Sequence, residues 1–105
     1  MIFETIYESA LKNELILIDN GYCRWHLRKD GQITIYEIIS VVPGTGTTML
    51  NILKRKGQSL NATSLFAKCP ADLSANQWYA RKGFHKEGEE VTLSGRRIIL
   101  WRYQL

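Results

Sequence analysis

The chain has 105 residues and a formal net charge of +4 at pH 7, with 14 Lys and Arg against 10 Asp and Glu, a length that suits one small domain and excludes a second hydrophobic core. Hydrophobic residues make up 45% and charged residues 23% of the chain, which is the composition of a globular protein and excludes a disordered tail. The longest aliphatic run, Leu15 to Ile18, is too short for a membrane helix, and the N-terminus lacks a basic secretory start, so we expect a cytoplasmic protein with no membrane contact.

The N-terminal segment predicts a helix over residues 2–12, because its apolar residues recur every three or four positions. We expect this stripe to pack against the rest of the domain; it consists of Ile2, Phe3, Ile6, Tyr7, Ala10 and Leu11. The short branched run Leu15 to Ile18 follows and predicts a strand, which ends at the turn-forming Asp19-Asn20-Gly21.

A β-hairpin is the strongest local prediction, with strands over residues 22–29 and 32–39 around Asp30-Gly31, a dipeptide that suits a two-residue turn. A tight turn of this kind fixes which residues lie opposite each other. The pairs expected on one face are Arg28 with Ile33, His26 with Ile35, and Arg24 with Glu37; the other face carries Leu27 with Thr34, Trp25 with Tyr36, and Cys23 with Ile38.

The second half alternates helices and strands. We predict a helix over residues 47–56 ended by Gly57, a strand over 62–69 ended by Pro70, a helix over 75–82 with a Ser74-x-x-Gln77 capping box and Gly83 as its stop, and a closing hairpin over 84–91 and 97–103. The order helix, hairpin, helix, strand, helix, hairpin predicts a mixed α/β fold in which each strand-helix-strand unit leaves its strands parallel.

One junction points to chemistry, namely the strand that ends near Ile39, the loop Gly44-Thr45-Gly46 and the helix that opens at Thr47. The first amides of a helix lack internal partners and its dipole favours negative charge there, so this junction suits an anion such as a pyrophosphate. A plain strand-to-helix turn without a ligand is the alternative. A Walker loop and a dinucleotide fingerprint are excluded, because Gly-Lys-Ser/Thr and a third glycine are missing.

Two segments resemble motifs of the GNAT N-acetyltransferase superfamily. Residues 69–84 contain Asn76-Gln-Trp-Tyr79-Ala-Arg-Lys-Gly83-Phe84, which is similar to the family's Asn-x-x-Tyr-x-x-x-Gly-Phe segment. The acetyl-CoA segment of the family is resembled by Tyr36-Glu-Ile-Ile-Ser-Val-Val-Pro-Gly-Thr-Gly-Thr-Thr-Met-Leu50. Together the motifs cover about residues 33–84, in the family's order, and the compact layout is similar to short, stand-alone members often met in phage and prophage genomes.

The resemblance implies a single GNAT-like acetyltransferase domain over residues 1–105. Its fold would be a mixed sheet with an antiparallel N-terminal hairpin, central strands splayed at the cofactor site, two crossover helices and a C-terminal hairpin. The implied cofactor is acetyl-CoA.

The resemblance also implies roles for individual residues. Backbone groups of Ile38, Ile39 and Ser40 would pair with the pantetheine arm, Gly44, Thr45, Gly46 and Thr47 would hold the pyrophosphate, and Asn76 would hydrogen-bond the cofactor arm. Tyr79 would stand at the thioester sulfur, where a phenol with an ordinary pKa near 10 stays protonated and can donate to the departing thiolate. The alternative for Tyr79 is a core tyrosine beside Trp78.

The sequence departs from the family pattern at two places. Val41 stands where the family has Arg or Gln, so pyrophosphate binding would rest on amides and Thr47, with help from Arg81 or Lys82. The family usually places two helices between its first two strands. Here the sequence predicts only one N-terminal helix, and it precedes the first two strands. Either a large, flat acceptor docks on an open face, or a second subunit completes the site in a homodimer.

Two residues are candidates for the general base that takes the acceptor's proton. Glu37 is the first, since it lies on the motif strand, and a cross-strand ion pair with Arg24 is its alternative role. His26 shares that face and titrates near neutrality, so it is the second candidate, with a solvent-facing histidine as the alternative.

Metal and covalent chemistry are not expected. Cys23 and His26 are separated by three positions on one strand and so point to opposite faces, and no histidine is indicated beside Cys69. We expect both cysteines to be reduced thiols. A strip of Tyr22, Arg24, His26 and Arg28 could contact nucleic acid, but a solvated sheet face is the favoured interpretation.

The resulting hypothesis is an acyltransferase, specifically an acetyl-CoA-dependent N-acetyltransferase that passes the acetyl group directly to an amine acceptor, which is a small molecule or a protein. The alternative is a catalytically silent GNAT-like binding protein that contacts nucleic acid or protein through the basic hairpin face.

Overall fold

The computed structural model describes residues 2–105, and the Ile2 side chain of the predicted apolar stripe lies outside what it describes. The described chain forms a mixed α/β domain, as the sequence predicts. Its elements are α1 (Ile2–Leu11), β1 (Leu15–Ile18), β2 (Gly21–Leu27), β3 (Gln32–Ser40), α2 (Thr45–Ser59), β4 (Ser64–Pro70), α3 (Ala75–Arg81), β5 (His85–Val91) and β6 (Arg97–Gln104).

All six strands join one sheet in the order β1-β2-β3-β4-β6-β5. The sheet is antiparallel except at its centre, where β3 and β4 are parallel and joined by the crossover helix α2. The second crossover, through α3, carries the chain past β6 to the far edge of the sheet. Both crossovers were expected, because consecutive parallel strands need a helical connection.

The β2–β3 hairpin differs from its predicted register. Arg28 N donates to Gln32 O and Gly31 adopts a φ of 91°, so the turn has three residues, with glycine in the left-handed conformation that such loops require. Trp25 consequently pairs with Ile35, and Tyr36 is left in a β-bulge. The bulge offsets the longer turn, so the predicted pairs Arg24–Glu37 and Cys23–Ile38 are correct, whereas those nearer the turn are wrong by one residue.

The hydrophobic core lies between one face of the sheet and α2. Met49, Leu50 and Leu53 of α2 are fully buried there, as their helical spacing predicts. The strands contribute Ile16, Cys23, Trp25, Ile33, Ile35, Leu65, Ala67, Cys69, Ile99 and Trp101, and Tyr79 and Phe84 complete the cluster. Both cysteines are free thiols and both are buried.

Both ends of α2 and the cap of α3 were predicted wrongly. α2 runs from Thr45 to Ser59 rather than over residues 47–56, so Gly57 lies inside the helix. A glycine suits this position because a Cβ there would stand 2.7 Å from Leu105 Cδ1 and 3.2 Å from Ile33 Cδ1. Ser74 precedes α3, but its side chain makes no capping hydrogen bond. The predicted capping box therefore does not form.

Helix α1 forms as predicted but does not bury its apolar stripe. Phe3 is 76%, Tyr7 58% and Leu11 70% exposed, whereas the buried residue on this helix is Ser9. The helix packs on β1 and β2. Periodicity predicts the existence of an apolar stripe, but the element that covers it must come from elsewhere in the structure, and in residues 2–105 nothing covers it.

Within the described residues, no helix is both long and apolar enough to cross a membrane.

Candidate functional site

The site begins where the two central parallel strands separate. β3 and β4 pair only from Gln32 to Ile35 and from Ser64 to Ala67. Beyond that point β3 continues to Ser40 along β2, and β4 continues to Pro70 along β6. The edge of β3 that faces β4 is therefore left without a strand partner over residues 36–40.

A cavity of about 640 Å³ fills this gap. Ile38, Ile39 and Ser40 line one side, Cys69 and Pro70 line the other, and Gly46, Trp78 and Tyr79 close the end toward the helices. An extended chain that enters the gap can bond to the free edge of β3 as an added strand would. The sequence prediction that residues 38–40 and 46 share one site with Tyr79 is compatible with this geometry.

The N-terminus of α2 opens toward the same cavity. Gly44 caps the helix with a φ of 90° and without a side-chain hydrogen bond, a conformation that glycine adopts at little cost. Thr45 N donates to Val42 O and Thr48 N donates to Gly44 O. The amides of Gly46 and Thr47 lie between them and have no acceptor in residues 2–105, so they can bind an anion.

Access to these amides differs between the two glycines. A Cβ on Gly44 would meet nothing within 4 Å, whereas a Cβ on Gly46 would stand 3.2 Å from Trp78 Cζ2. The indole of Trp78 thus covers Gly46 from the side of α3, and the approach from Gly44 is open.

The positive charge near the free amides of Gly46 and Thr47 comes from α3. Val41 supplies none, as the sequence indicated. Two cations line the cavity, Lys68 and Arg81. Lys68 Nζ lies 3.1 Å from Glu90 Oε2, whereas Arg81 has no ion pair within the described chain and remains available to an anionic ligand. Lys82 does not belong to the lining.

Tyr79 is buried, but its hydroxyl is accessible from the cavity and has no hydrogen-bond partner in residues 2–105. The side chain is 6% exposed, and its ring packs against Trp78, Phe84 and Trp101 with centroid distances of 5.2, 5.1 and 6.3 Å. In the described chain the hydroxyl makes no hydrogen bond. Burial raises the pKa of Tyr79, and the neighbouring Cys69 and Cys23 add to the shift, so the phenol keeps its proton at neutral pH and can donate it.

Asn76 has a structural role in this arrangement. Its amide Nδ2 donates to Pro70 O at 2.8 Å and to Leu73 O at 2.9 Å, and its Oδ1 accepts from Trp101 Nε1 at 2.9 Å. These bonds tie the end of β4, the start of α3 and β6 together. A bond from Asn76 to the cofactor arm would compete with them, and Asn76 does not line the cavity.

Glu37 lines the cavity and is firmly held by β2. Its Oε1 accepts from Arg24 Nε at 2.6 Å and its Oε2 accepts from Tyr22 Oη at 2.9 Å. Burial acts to raise the pKa of Glu37, but the hydrogen bonds from Arg24 and Tyr22 and the Arg24 charge outweigh it and hold the pKa below its usual value. The carboxylate is thus charged and engaged at both oxygens.

His26 forms a pair that the sequence does not reveal. Its Nδ1 is hydrogen-bonded to Glu14 Oε2, and its ring stacks near Tyr36 with centroids 6.5 Å apart. Glu14 follows α1 and lies twelve positions from His26, with no motif linking them. The same holds for Tyr22, which bonds Glu37 across the hairpin.

These pairs change the character of the hairpin face. Arg24 is neutralised by Glu37, and His26 is paired with Glu14. Among the four residues of the strip considered for nucleic acid, only Arg28 is therefore a cation without an ion pair in the described chain. Cys23 lies buried on the core face, away from His26, as the strand alternation predicts.

Comparison with known proteins identifies the architecture. No protein-family model matches the chain, and no curated protein matches it. Solved structures do, among them a protein from Bacillus anthracis described as a streptothricin acetyltransferase and solved with acetyl coenzyme A. It is 16% identical, has a TM-score of 0.82, and the match covers 95% of this chain and 68% of that one.

Two further structures agree. A protein from Desulfovibrio desulfuricans, assigned to the acetyltransferases of the GNAT family, is 17% identical with a TM-score of 0.78, and the match covers 96% of this chain and 75% of that one. The ribosomal-protein-alanine N-acetyltransferase of Escherichia coli is 14% identical with a TM-score of 0.74, at 96% and 76% coverage. The chain therefore has the fold of the GNAT acetyltransferases, and the fold class implied by its motifs is confirmed.

Proposed function

We propose that this protein is an acetyl-CoA-dependent N-acetyltransferase that transfers the acetyl group directly to an amine. The observation that carries the proposal is that three features line one cavity: the unpaired edge of β3, the free amide of Gly46 at the start of α2, and Tyr79, whose hydroxyl has no hydrogen-bond partner in the described chain. The GNAT fold of the chain and the acetyl coenzyme A in one structural neighbour support the same conclusion.

The residues of the cavity fit the parts of this substrate. The free backbone groups of Ile38, Ile39 and Ser40 suit the amides of a pantetheine arm, which would lie in the gap as an extra strand. The cradle formed by residues 44–47 suits the pyrophosphate, and Arg81 supplies the charge that Val41 lacks.

Acetyl-CoA supplies an activated thioester, and the chain positions both reactants and moves protons. As the amine nitrogen bonds to the acetyl carbon, the carbon–sulfur bond breaks and negative charge develops on sulfur. Tyr79 donates its proton there, because its raised pKa keeps the phenol protonated up to that moment. Glu37 accepts hydrogen bonds from Arg24 and Tyr22, and these bonds fix the bulged part of β3 beside the place where the acetyl group would be transferred.

Binding is tested first, by isothermal titration with acetyl-CoA and by the shift of the thermal unfolding midpoint. Ligand at 100 times its Kd stabilises the folded state by about 2.7 kcal/mol. No binding at millimolar acetyl-CoA would refute the proposal.

Turnover is tested next, by release of free CoA in the presence of an amine panel. The names of the structural neighbours suggest streptothricin and an alanine-initiated peptide, to which we add spermidine and a lysine peptide. A protein that binds acetyl-CoA but acetylates none of these amines would favour the catalytically silent alternative.

A further inference from the structure

The group that takes the proton from the acceptor must offer a free lone pair near the point of acetyl transfer. Glu37 lies there, but the hydrogen bonds that its two oxygens accept from Arg24 and Tyr22 stabilise its charged form and make it a weak base. Protonation of Glu37 would also break a charge-assisted bond to Arg24. The carboxylate predicted as base is therefore better suited to holding the hairpin than to accepting a proton.

His26 has the arrangement that Glu37 lacks. A hydrogen bond from Nδ1 to the Glu14 carboxylate fixes the ring and the tautomer and leaves Nε2 with its lone pair free. Glu14 is itself anchored, since its backbone O accepts from Trp25 N at 3.0 Å and its N donates to Ser9 O at 2.7 Å. The Glu14 side chain is only 19% exposed, whereas the His26 side chain is 45% exposed and open to an incoming amine.

Tyr36 connects His26 to the transfer cavity. This bulge residue lines the cavity between β3 and β4, and it also lines a shallow depression of about 500 Å³ beside His26. The other residues of the depression belong to the hairpin end: Arg28, Lys29 and Asp30. Tyr36 therefore borders both spaces, and His26 lies on the side of the depression.

We propose that His26 is the general base of the transfer and that Glu14 is its positioning residue; this inference rests on the proposed function. Nε2 takes the proton of the acceptor nitrogen as that nitrogen bonds to the acetyl carbon, while Tyr79 gives its proton to the departing sulfur. The imidazolium, stabilised by Glu14, then returns its proton to water. The charged and titratable groups that face His26 are Glu14 from the turn after α1, Tyr36 from β3, and Arg28, Lys29 and Asp30 from the hairpin end.

The experiment compares the wild type with His26→Gln and Glu14→Gln, and with His85→Gln as the matched control, because His85 is exposed on β5. The amine is whichever member of the panel the wild type acetylates best. We expect His26→Gln to lower kcat/KM for the amine by about 100-fold and to abolish the loss of activity at acid pH, since no imidazole remains to be protonated. Glu14→Gln should lower kcat by about tenfold and leave the KM for the amine unchanged, because the imidazole remains in place but loses the carboxylate that orients it.

Acetyl-CoA affinity, measured by titration calorimetry, should stay within about twofold in all three variants, and His85→Gln should keep both turnover and pH profile. A His26→Gln variant with wild-type turnover, or with an unchanged acid limb, would overturn the inference. If Glu14→Gln fails to fold, the His26→Gln profile alone decides. Failure of the proposed function is seen in the wild type, as missing binding or turnover, whereas failure of this inference is seen only in the variants.

Discussion

Removing the hydroxyl of Tyr79 should separate stability from catalysis. The Tyr79→Phe variant keeps the ring that packs on Trp78, Phe84 and Trp101, and it removes a hydroxyl that has no hydrogen-bond partner in the described chain. This hydroxyl is accessible from the cavity, and the buried side-chain polar atom that lacks a partner in residues 2–105 is Trp25 Nε1. Because the substitution leaves no buried polar group newly unsatisfied, the free energy of unfolding should change by less than about 0.5 kcal/mol and the melting temperature by less than about 4 °C.

Turnover, in contrast to stability, should fall strongly. A positioned general acid contributes about 10²–10⁴-fold, so Tyr79→Phe should lower kcat/KM by at least about 100-fold, which corresponds to about 2.7 kcal/mol of transition-state stabilisation. The Kd for acetyl-CoA should not change. Because burial raises the pKa of Tyr79, the wild type should show no loss of activity from this group on the alkaline side up to about pH 9.

The assay pairs CoA release with thermal unfolding, and Tyr7→Phe is the control, since Tyr7 is exposed on α1. Full turnover in Tyr79→Phe would remove the phenol from its role as acid. A melting temperature lowered by more than about 4 °C in Tyr79→Phe would refute the other half of the reasoning, because it would mean that the hydroxyl has a stabilising partner.

Three further predictions concern the cradle, the hairpin and the thiols. Gly46→Ala should weaken acetyl-CoA binding about tenfold, measured by calorimetry, because the new Cβ would stand 3.2 Å from Trp78 Cζ2. An unchanged Kd, or an equal loss of affinity in the control Gly88→Ala, would contradict this. Glu37→Gln should destabilise the fold at pH 7 by about 1 kcal/mol, measured by urea unfolding. Because the pKa of Glu37 is lowered in the folded state, its carboxylate stabilises the fold at neutral pH, and the difference should shrink as the pH falls below the ordinary glutamate pKa and through the lowered one. A difference that is constant with pH would argue against the ion pair. Burial raises the pKa of Cys23 to about 12. Its thiol should therefore stay unmodified by a disulfide reagent at pH 8 until the protein is unfolded. Rapid labelling of Cys23 in the native protein would contradict its burial in the core.

The sequence predicted those features that depend on neighbours along the chain. The apolar spacing of Met49, Leu50 and Leu53 fixes the buried face of α2, and the first amides of that helix lack partners within the helix whatever the rest of the chain does. The motif around Tyr79 predicted a helix between β4 and β5, and that helix forms. The two crossovers and the parallel direction of the strands that they join followed from the alternation of strands and helices.

The sequence did not predict features that depend on distant partners. The hairpin register has two irregularities, a three-residue turn and a bulge at Tyr36. Each shifts the strand pairing by one residue, and the two shifts offset each other from Arg24 onward. Beyond the bulge, neither irregularity changes the alternation of apolar residues. The partners of Asn76 come from β4 and β6, and its motif position alone suggested a role toward the cofactor.

By itself, then, the sequence determined the order of the helices and strands and the strand-to-helix junction before α2, because hydrogen bonding and periodicity act over a few neighbouring residues. Only the tertiary structure decided that Glu37 is bound at both oxygens, that Glu14 holds His26, and that the stripe of α1 stays exposed. Those outcomes depend on which distant groups the folded sheet brings within bonding distance, and no local pattern encodes that distance.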